Sequence, residues 1–150
     1  LAGIAPAGVD EARLRATFVA NLRHAAAALA DAGLTLLVEP INIHDMPGFW
    51  LNRGDVAVEL IREVGAANLK LQFDAYHAAR MGDEPLAAFE RLRPWIGHVQ
   101  VADVPGRHEP GSGTLGCAAL FDALDRAGYD GHVGAEYRPA AGTEAGDLSI

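Results

Sequence analysis

Four oxygen-bearing side chains stand at the ends of strand-like runs: Glu39 after Leu34–Val38, Asp74 after Leu69–Phe73, Gln100 after Ile96–Val99 and Glu136 after His132–Ala135. They recur at intervals of about 26 to 36 positions, and a strand with its crossover helix takes about 30. Each interval is therefore one βα unit, and such units bring the four side chains to the same end of a parallel sheet. Taken singly, each is an ordinary solvated strand end. Together, three carboxylates and a carboxamide at one point must protonate or recruit a cation. An all-oxygen set with no Cys or imidazole suits a hard divalent ion, Mg²⁺ or Mn²⁺, better than Zn²⁺.

Strand alternation tests the convergence, because successive residues face opposite sides of a sheet. Stepping back by two from each oxygen gives Leu37 and Thr35, Gln72 and Lys70, His98, and Gly134 and His132. The other face carries Leu36 and Val38, then Leu69, Leu71 and Phe73, then Val99 and Val101, then Val133, Ala135 and Tyr137. One face is apolar throughout and packs on helices. The other looks into a partly polar interior, as in a closed parallel barrel rather than an open sheet with two dry faces. Catalytic groups in such barrels sit at the C-terminal strand ends.

The elements that position these strands are legible in turn. Leu1 to Ile4 reads as the tail of a strand and Ala5 to Gly8 as a loop. Asp10 caps a helix running to about Ala32, with apolar residues spaced by three and four, and Gly33 ends it. Further helices are expected over about Asp55–Val64, Pro85–Leu92 and Ala118–Ala127, two of them followed by Gly65 and Gly128. The stretches Pro40–Asn52, Ala75–His77 and Asp103–Gly113 read as loops, and 138–150 as loosely ordered. Loops after strands are long and those after helices short, which marks the strand C-terminal end as the working face.

The chain has 150 residues, half of them hydrophobic, and a formal charge of −8. That acidity argues against a nucleic-acid surface, which needs clustered Lys and Arg. No apolar run approaches a membrane span of about 20 residues, and no basic-then-apolar leader pattern opens the chain; a cytoplasmic protein is expected. The single Cys117 cannot make an internal disulfide and reads as a small buried residue.

Three loop residues are candidates for substrate contact. Arg107 carries a planar fork that binds a carboxylate bidentately. His77, three positions after Asp74, and Asp45, in the loop after Glu39, complete the set. His98 reads equally as a core histidine or a supporting donor. Phe49 and Trp50 either wall the pocket or anchor their loop. Gly111-Ser112-Gly113 is a weak phosphate-loop signal, since no helix starts on it.

Val38-Glu39-Pro40-Ile41-Asn42, Leu71 to His77, Gly97 to Asp103, Pro105 to Gly111 and Ala135 to Pro139 together resemble hydroxypyruvate isomerases, within the xylose-isomerase-like TIM-barrel superfamily. The resemblance extends from Leu1 to about Pro139, and its Arg-His-Glu-Pro-Gly and Glu-Tyr-Arg-Pro segments are its most specific parts. It implies an α/β fold, with Glu39 and Glu136 as proton-transfer residues. It also implies that these two and Asp74 and Gln100 are metal ligands, and that hydroxypyruvate and tartronate semialdehyde interconvert through an enediol. Related ketose epimerases usually place His where Gln100 stands, which favours the isomerase branch.

Alternatives remain: a 2-oxo-tetronate isomerase or ketose 3-epimerase on the same scaffold, a non-catalytic sugar-acid binding protein, or an abasic-site endonuclease. The last wants more histidines and a basic face. A complete eight-stranded barrel takes about 250 residues, so the chain reads as one C-terminal portion, about strands 4 to 8 with their helices. Such a portion exposes two sheet edges and is expected to self-associate, as a homo-oligomer, or to precipitate, and to lack activity alone.

Overall fold

The computed structural model describes residues 1–140. Helix α1 (Glu11–Ala30) begins where the Asp10 carboxylate accepts the Arg13 N–H at 2.8 Å. Its buried stripe of Val19, Leu22 and Ala26 lies towards α2 (Gly54–Val64), and Arg15 clamps the pair by an ion pair with Glu63 at 2.8 Å. Strand β1 (Leu36–Val38) precedes α2, and Gly65, at φ 73°, ends that helix in the left-handed cap its position requires. Then follow β2 (Leu69–Asp74), α3 (Ala75–Arg80), α4 (Pro85–Leu92), a single 3₁₀ turn at Arg93–Trp95, β3 (Ile96–Val101), α5 (Cys117–Arg126) and β4 (Val133–Ala135).

The four strands form one parallel sheet in the order β1-β2-β3-β4, with a helix in each crossover. This is a partial (β/α)₈ architecture. Leu69, Leu71, Phe73, Val99 and Val101 are buried on one face, against Leu60, Ile61, Phe89, Leu92 and Leu120 of the helices. The opposite face carries Lys70, Gln72, His98 and Gln100, all half-buried. A one-residue bulge preserves this alternation: Leu71 pairs with Ile96 but Gln72 with His98, so Gly97 is skipped. A Cβ on Gly97 would lie 2.6 Å from Lys70 Cβ, so only glycine lets these inward faces approach.

Three local differences from the sequence reading have physical causes. Strand β1 starts at Leu36, because Leu34 is held elsewhere: its N–H donates to the Leu29 carbonyl at 2.9 Å and its carbonyl accepts from Asn68 Nδ2 at 3.1 Å. The stretch Leu1 to Ile4 makes a single antiparallel bridge, Ile4 with Phe49, instead of a parallel strand. Ala75–His77 is helix and not loop. Asp74 ends β2 and caps α3 at once, accepting the N–H groups of Tyr76 (2.8 Å) and His77 (3.3 Å), so no connecting residue separates strand from helix.

The 102–116 connection is ordered by Asp103. Its carboxylate accepts backbone N–H groups of Val104 at 2.9 Å, Leu115 at 2.8 Å and Gly111 at 2.8 Å. Burial opposes charge on Asp103, yet these donors hold its carboxyl below the usual range. A side chain at Gly113 would strike the Val104 carbonyl and Asp103. Residues 138–140 are tied back onto this loop, with Arg138 N–H donating to the Arg107 carbonyl at 2.7 Å; the rest of the 138–150 stretch lies outside the described residues. Cys117 is buried at the first position of α5, 3.7 Å from Asp103 Oδ2. Among the described residues no helix is long and apolar enough to cross a membrane.

Candidate functional site

Glu39 leaves β1 and Asp74 leaves β2 on the polar face, and α3 brings His77 between them. His77 Nε2 lies 3.7 Å from Asp74 Oδ2 and 4.0 Å from Glu39 Oε1, with the His77 side chain 5% exposed. One ligand atom from each of the three falls within 4.8 Å of the others. Asp74 Oδ1 is consumed in capping α3, which leaves Oδ2 directed at the group. Glu39 Oε1 and Asp74 Oδ2 are buried oxygens with no hydrogen-bond partner. A buried acceptor left without a donor is costly, and two of them side by side fit a divalent cation, whose charge would replace the missing donors.

Electrostatics follow the burial. Desolvation, reinforced by the charges of Asp74 and Glu136 and opposed by a Gln72 hydrogen bond, pushes the Glu39 carboxyl up to about 7. Desolvation likewise raises Asp74 to about 6 against the pull of its two backbone donors. His77 is pushed down to about 4 by burial and by the Arg107 charge, so at neutral pH the imidazole is uncharged.

The other expected residues occupy distinct positions. Gln100 sits level with Asp74 in the β2–β3 register, and its Oε1 accepts from Gln72 Nε2 at 2.6 Å; a carbonyl oxygen keeps a second lone pair. Glu136 follows β4 at the sheet edge, 55% exposed, with Oε1 3.1 Å from Arg107 Nη2. Arg107, held at φ 58°, also donates from Nε to the Glu136 carbonyl at 3.3 Å and lies 5.1 Å over the Tyr76 ring. Asp45 is committed to its own loop and to α3. Its Oδ2 accepts from Asn42 Nδ2 at 3.1 Å and Tyr76 Oη at 2.8 Å, and Oδ1 faces Arg80 at 3.9 Å. Burial opposes its charge, but these partners hold its carboxyl below the usual value.

Glu39, Asp74 and His77 therefore come together, Gln100 borders them, and Arg107 with Glu136 forms a separate pair at the edge. Two residues of this network carry no role in the sequence reading. Tyr76 links Asp45 to Arg107. Asn42 is fully buried and touches the His77 ring, the Asp45 carboxylate and the backbone N–H groups of His44 and Asp45. The signal for Asn42 lay in its spacing: an Asn after a strand end, in a Pro-Ile-Asn-Ile-His-Asp run, is placed to form an Asx turn.

Set beside known proteins, the xylose isomerase-like TIM barrel family model matches residues 1–148. The 2-oxo-tetronate isomerase of Cupriavidus necator is 51% identical over 146 residues, covering 97% of this chain and 56% of that protein. The hydroxypyruvate isomerase of Escherichia coli is 44% identical over 146 residues, covering 97% and 57%. The crystal structure of an AP endonuclease, family 2, from Brucella melitensis superposes with a TM-score of 0.85 at 41% identity, covering 89% of this chain and 52% of that one. The chain thus spans about half the length of the relatives it matches.

Proposed function

The chain belongs to the xylose isomerase-like TIM barrel family, and on that premise we propose that it supplies the catalytic strands of an isomerase for short hydroxy-oxo acids. Hydroxypyruvate and tartronate semialdehyde form the substrate pair. The observation that carries the reading is the pair of buried, unpartnered carboxylate oxygens on Glu39 and Asp74 beside an uncharged His77. Pure binding of a sugar acid needs no such pair, and an anionic substrate is served by the nearby Arg107 fork.

In this reading a carboxylate takes a proton from the hydroxymethyl carbon of hydroxypyruvate, and the C2 carbonyl oxygen gains one, giving an enediol. Protonation of C2 and loss of the C3 hydroxyl proton then deliver the aldehyde with no net change in atoms or electrons. Glu39 suits the exchange, because a carboxyl near 7 both takes and returns protons at neutral pH. Glu136 is the second proton-transfer group, on the other side of the substrate. For it to act, Arg107 must release it, and a substrate carboxylate is the natural replacement on the same fork. His77 and Asp45 are the further substrate contacts. A divalent ion, Mg²⁺ or Mn²⁺, would be held by Glu39, Asp74, Gln100 and Glu136 and would supply Lewis-acid stabilisation of developing negative charge.

The 51% identity to a 2-oxo-tetronate isomerase favours one second reading, the same chemistry on a four-carbon acid. Assaying the intact protein against three- and four-carbon oxo acids in D₂O, with and without chelator, tests both. Solvent deuterium at C2 of the product and loss of turnover with chelator are expected. Inactivity on every such acid with turnover of ketohexoses would replace the isomerase by an epimerase.

A further inference from the structure

Asn42 is oriented beyond ambiguity. Its Oδ1 accepts two backbone N–H groups, from His44 at 3.0 Å and Asp45 at 2.8 Å, which identifies that atom as the oxygen. Its Nδ2 therefore points the other way, where it meets Asp45 Oδ2 at 3.1 Å and His77 Nδ1 at 2.6 Å. The Asn42 backbone N–H aims at the same imidazole nitrogen from 3.4 Å. A nitrogen that faces two donors must be the acceptor, so Nδ1 carries no proton. In a neutral ring the proton then sits on Nε2, the atom facing Glu39 and Asp74.

We propose that Asn42 is a positioning residue that locks His77 in the Nε2–H tautomer, which makes His77 a hydrogen-bond donor into the site and removes it from the metal-ligand set. A protonated ring nitrogen has no lone pair for a cation, although distance alone would admit His77 as a ligand. Its Nε2–H instead points towards the Glu39 and Asp74 carboxylates from 4.0 and 3.7 Å, beyond hydrogen-bond reach, and is free to serve a substrate hydroxyl or carbonyl when one is bound. The catalytic consequence rests on the isomerase reading; the tautomer does not.

Imidazole ¹⁵N spectra of the intact protein, with and without Mg²⁺, test the tautomer directly. The expected His77 pattern is protonated Nε2 and bare Nδ1, unchanged by Mg²⁺. Asn42→Asp keeps the oxygen that accepts from His44 and Asp45 but presents an acceptor to Nδ1. The proton should move to Nδ1, and kcat should fall about 10–100-fold, the usual cost of losing a residue that orients a site histidine. A wild-type ring protonated on Nδ1, or loss of the Nε2 proton on adding Mg²⁺, overturns the proposal whether or not the variant folds. So does an Asn42→Asp protein whose activity falls while His77 stays Nε2–H, since Asn42 would then matter only structurally. Absence of isomerase turnover alongside an Nε2–H ring refutes the functional reading and leaves the tautomer standing.

Discussion

The corner built by β1 and β2 and the corner built by β3 and β4 carry the same kinds of residue in different states. At the first, Glu39, Asp74 and His77 are enclosed, and Asn42, Asp45 and Tyr76 fix the imidazole and its loop by hydrogen bonds of 2.6 to 3.1 Å. At the second, Glu136 is more than half exposed and held by one arginine, and Val133 of the adjoining β4 is 41% exposed. The lesson is a division of labour. Burial perturbs the carboxyls at the first corner, while the second holds an ion pair whose carboxylate is exposed; under the proposed function the first would transfer protons and an anionic ligand would break the second.

The largest effect should come from the enclosed corner. Glu39→Gln is expected to lower kcat by about 10²–10⁴-fold. The same variant should be more stable than wild type above neutral pH when metal is absent. The folded-state value near 7 exceeds the ordinary 4.5, so the stability wild-type Glu39 contributes is present below about 4.5 and lost as pH rises through about 7. Urea unfolding at pH 5 and pH 8 in chelator should show the variant's advantage growing by up to about 3 kcal/mol. An advantage that does not grow with pH would mean that Glu39 is not desolvated.

At the open corner Arg107→Ala should raise KM by about 10–100-fold with kcat nearly unchanged, because a carboxylate anchor acts in ground and transition states alike. Steady-state kinetics decide it, and a fall in kcat at constant KM would erase the distinction between the corners.

Asp74 separates chemistry from folding. Asparagine still caps a helix, so Asp74→Asn should abolish turnover while retaining the cap, whereas Asp74→Ala should cost about 1 kcal/mol more in chemical denaturation. Equal stability of the two would show that the α3 cap contributes nothing.

The smallest effect is expected at Val133→Thr, within about 0.5 kcal/mol. A thermal-shift loss typical of a core substitution would show that β4 is covered in the intact protein.

The sequence made the strand ends legible, because alternation and βα spacing are local properties: Glu39, Asp74 and Gln100 lie where the period-two pattern puts them, and Gly33, Gly65 and Gly128 take the positive φ that helix ends ask of them. The Gly97 bulge could have broken that phase; it falls before His98 and so leaves the polar face intact. What stayed hidden depends on tertiary partners. Helix α3 has only six residues, too few for a periodic signal, and its cap doubles as the last strand residue. The couplings of Asn42 to His77 and of Tyr76 to Asp45 span 35 and 31 positions, and no pattern within one element reveals them. Glu136 has the expected phase, but its partnership with Arg107 depends on how the 102–116 connection folds back.

The junction at Asp74 also governs where this scaffold can diversify. Since β2 passes into α3 with no spacer, one inserted residue there would turn the helix by about 100° and carry His77 off the site. Length cannot vary at that point without abolishing the constellation. The connection between β3 and α5 meets no helix start at 105–110, although the Arg138 N–H on the Arg107 carbonyl and the Asp103 N–H on the His108 carbonyl tie it down, so length changes there would reshape what Arg107 reaches while leaving 74–77 in place. A directed library meant to change what Arg107 contacts belongs in that segment, with 74–77 left untouched.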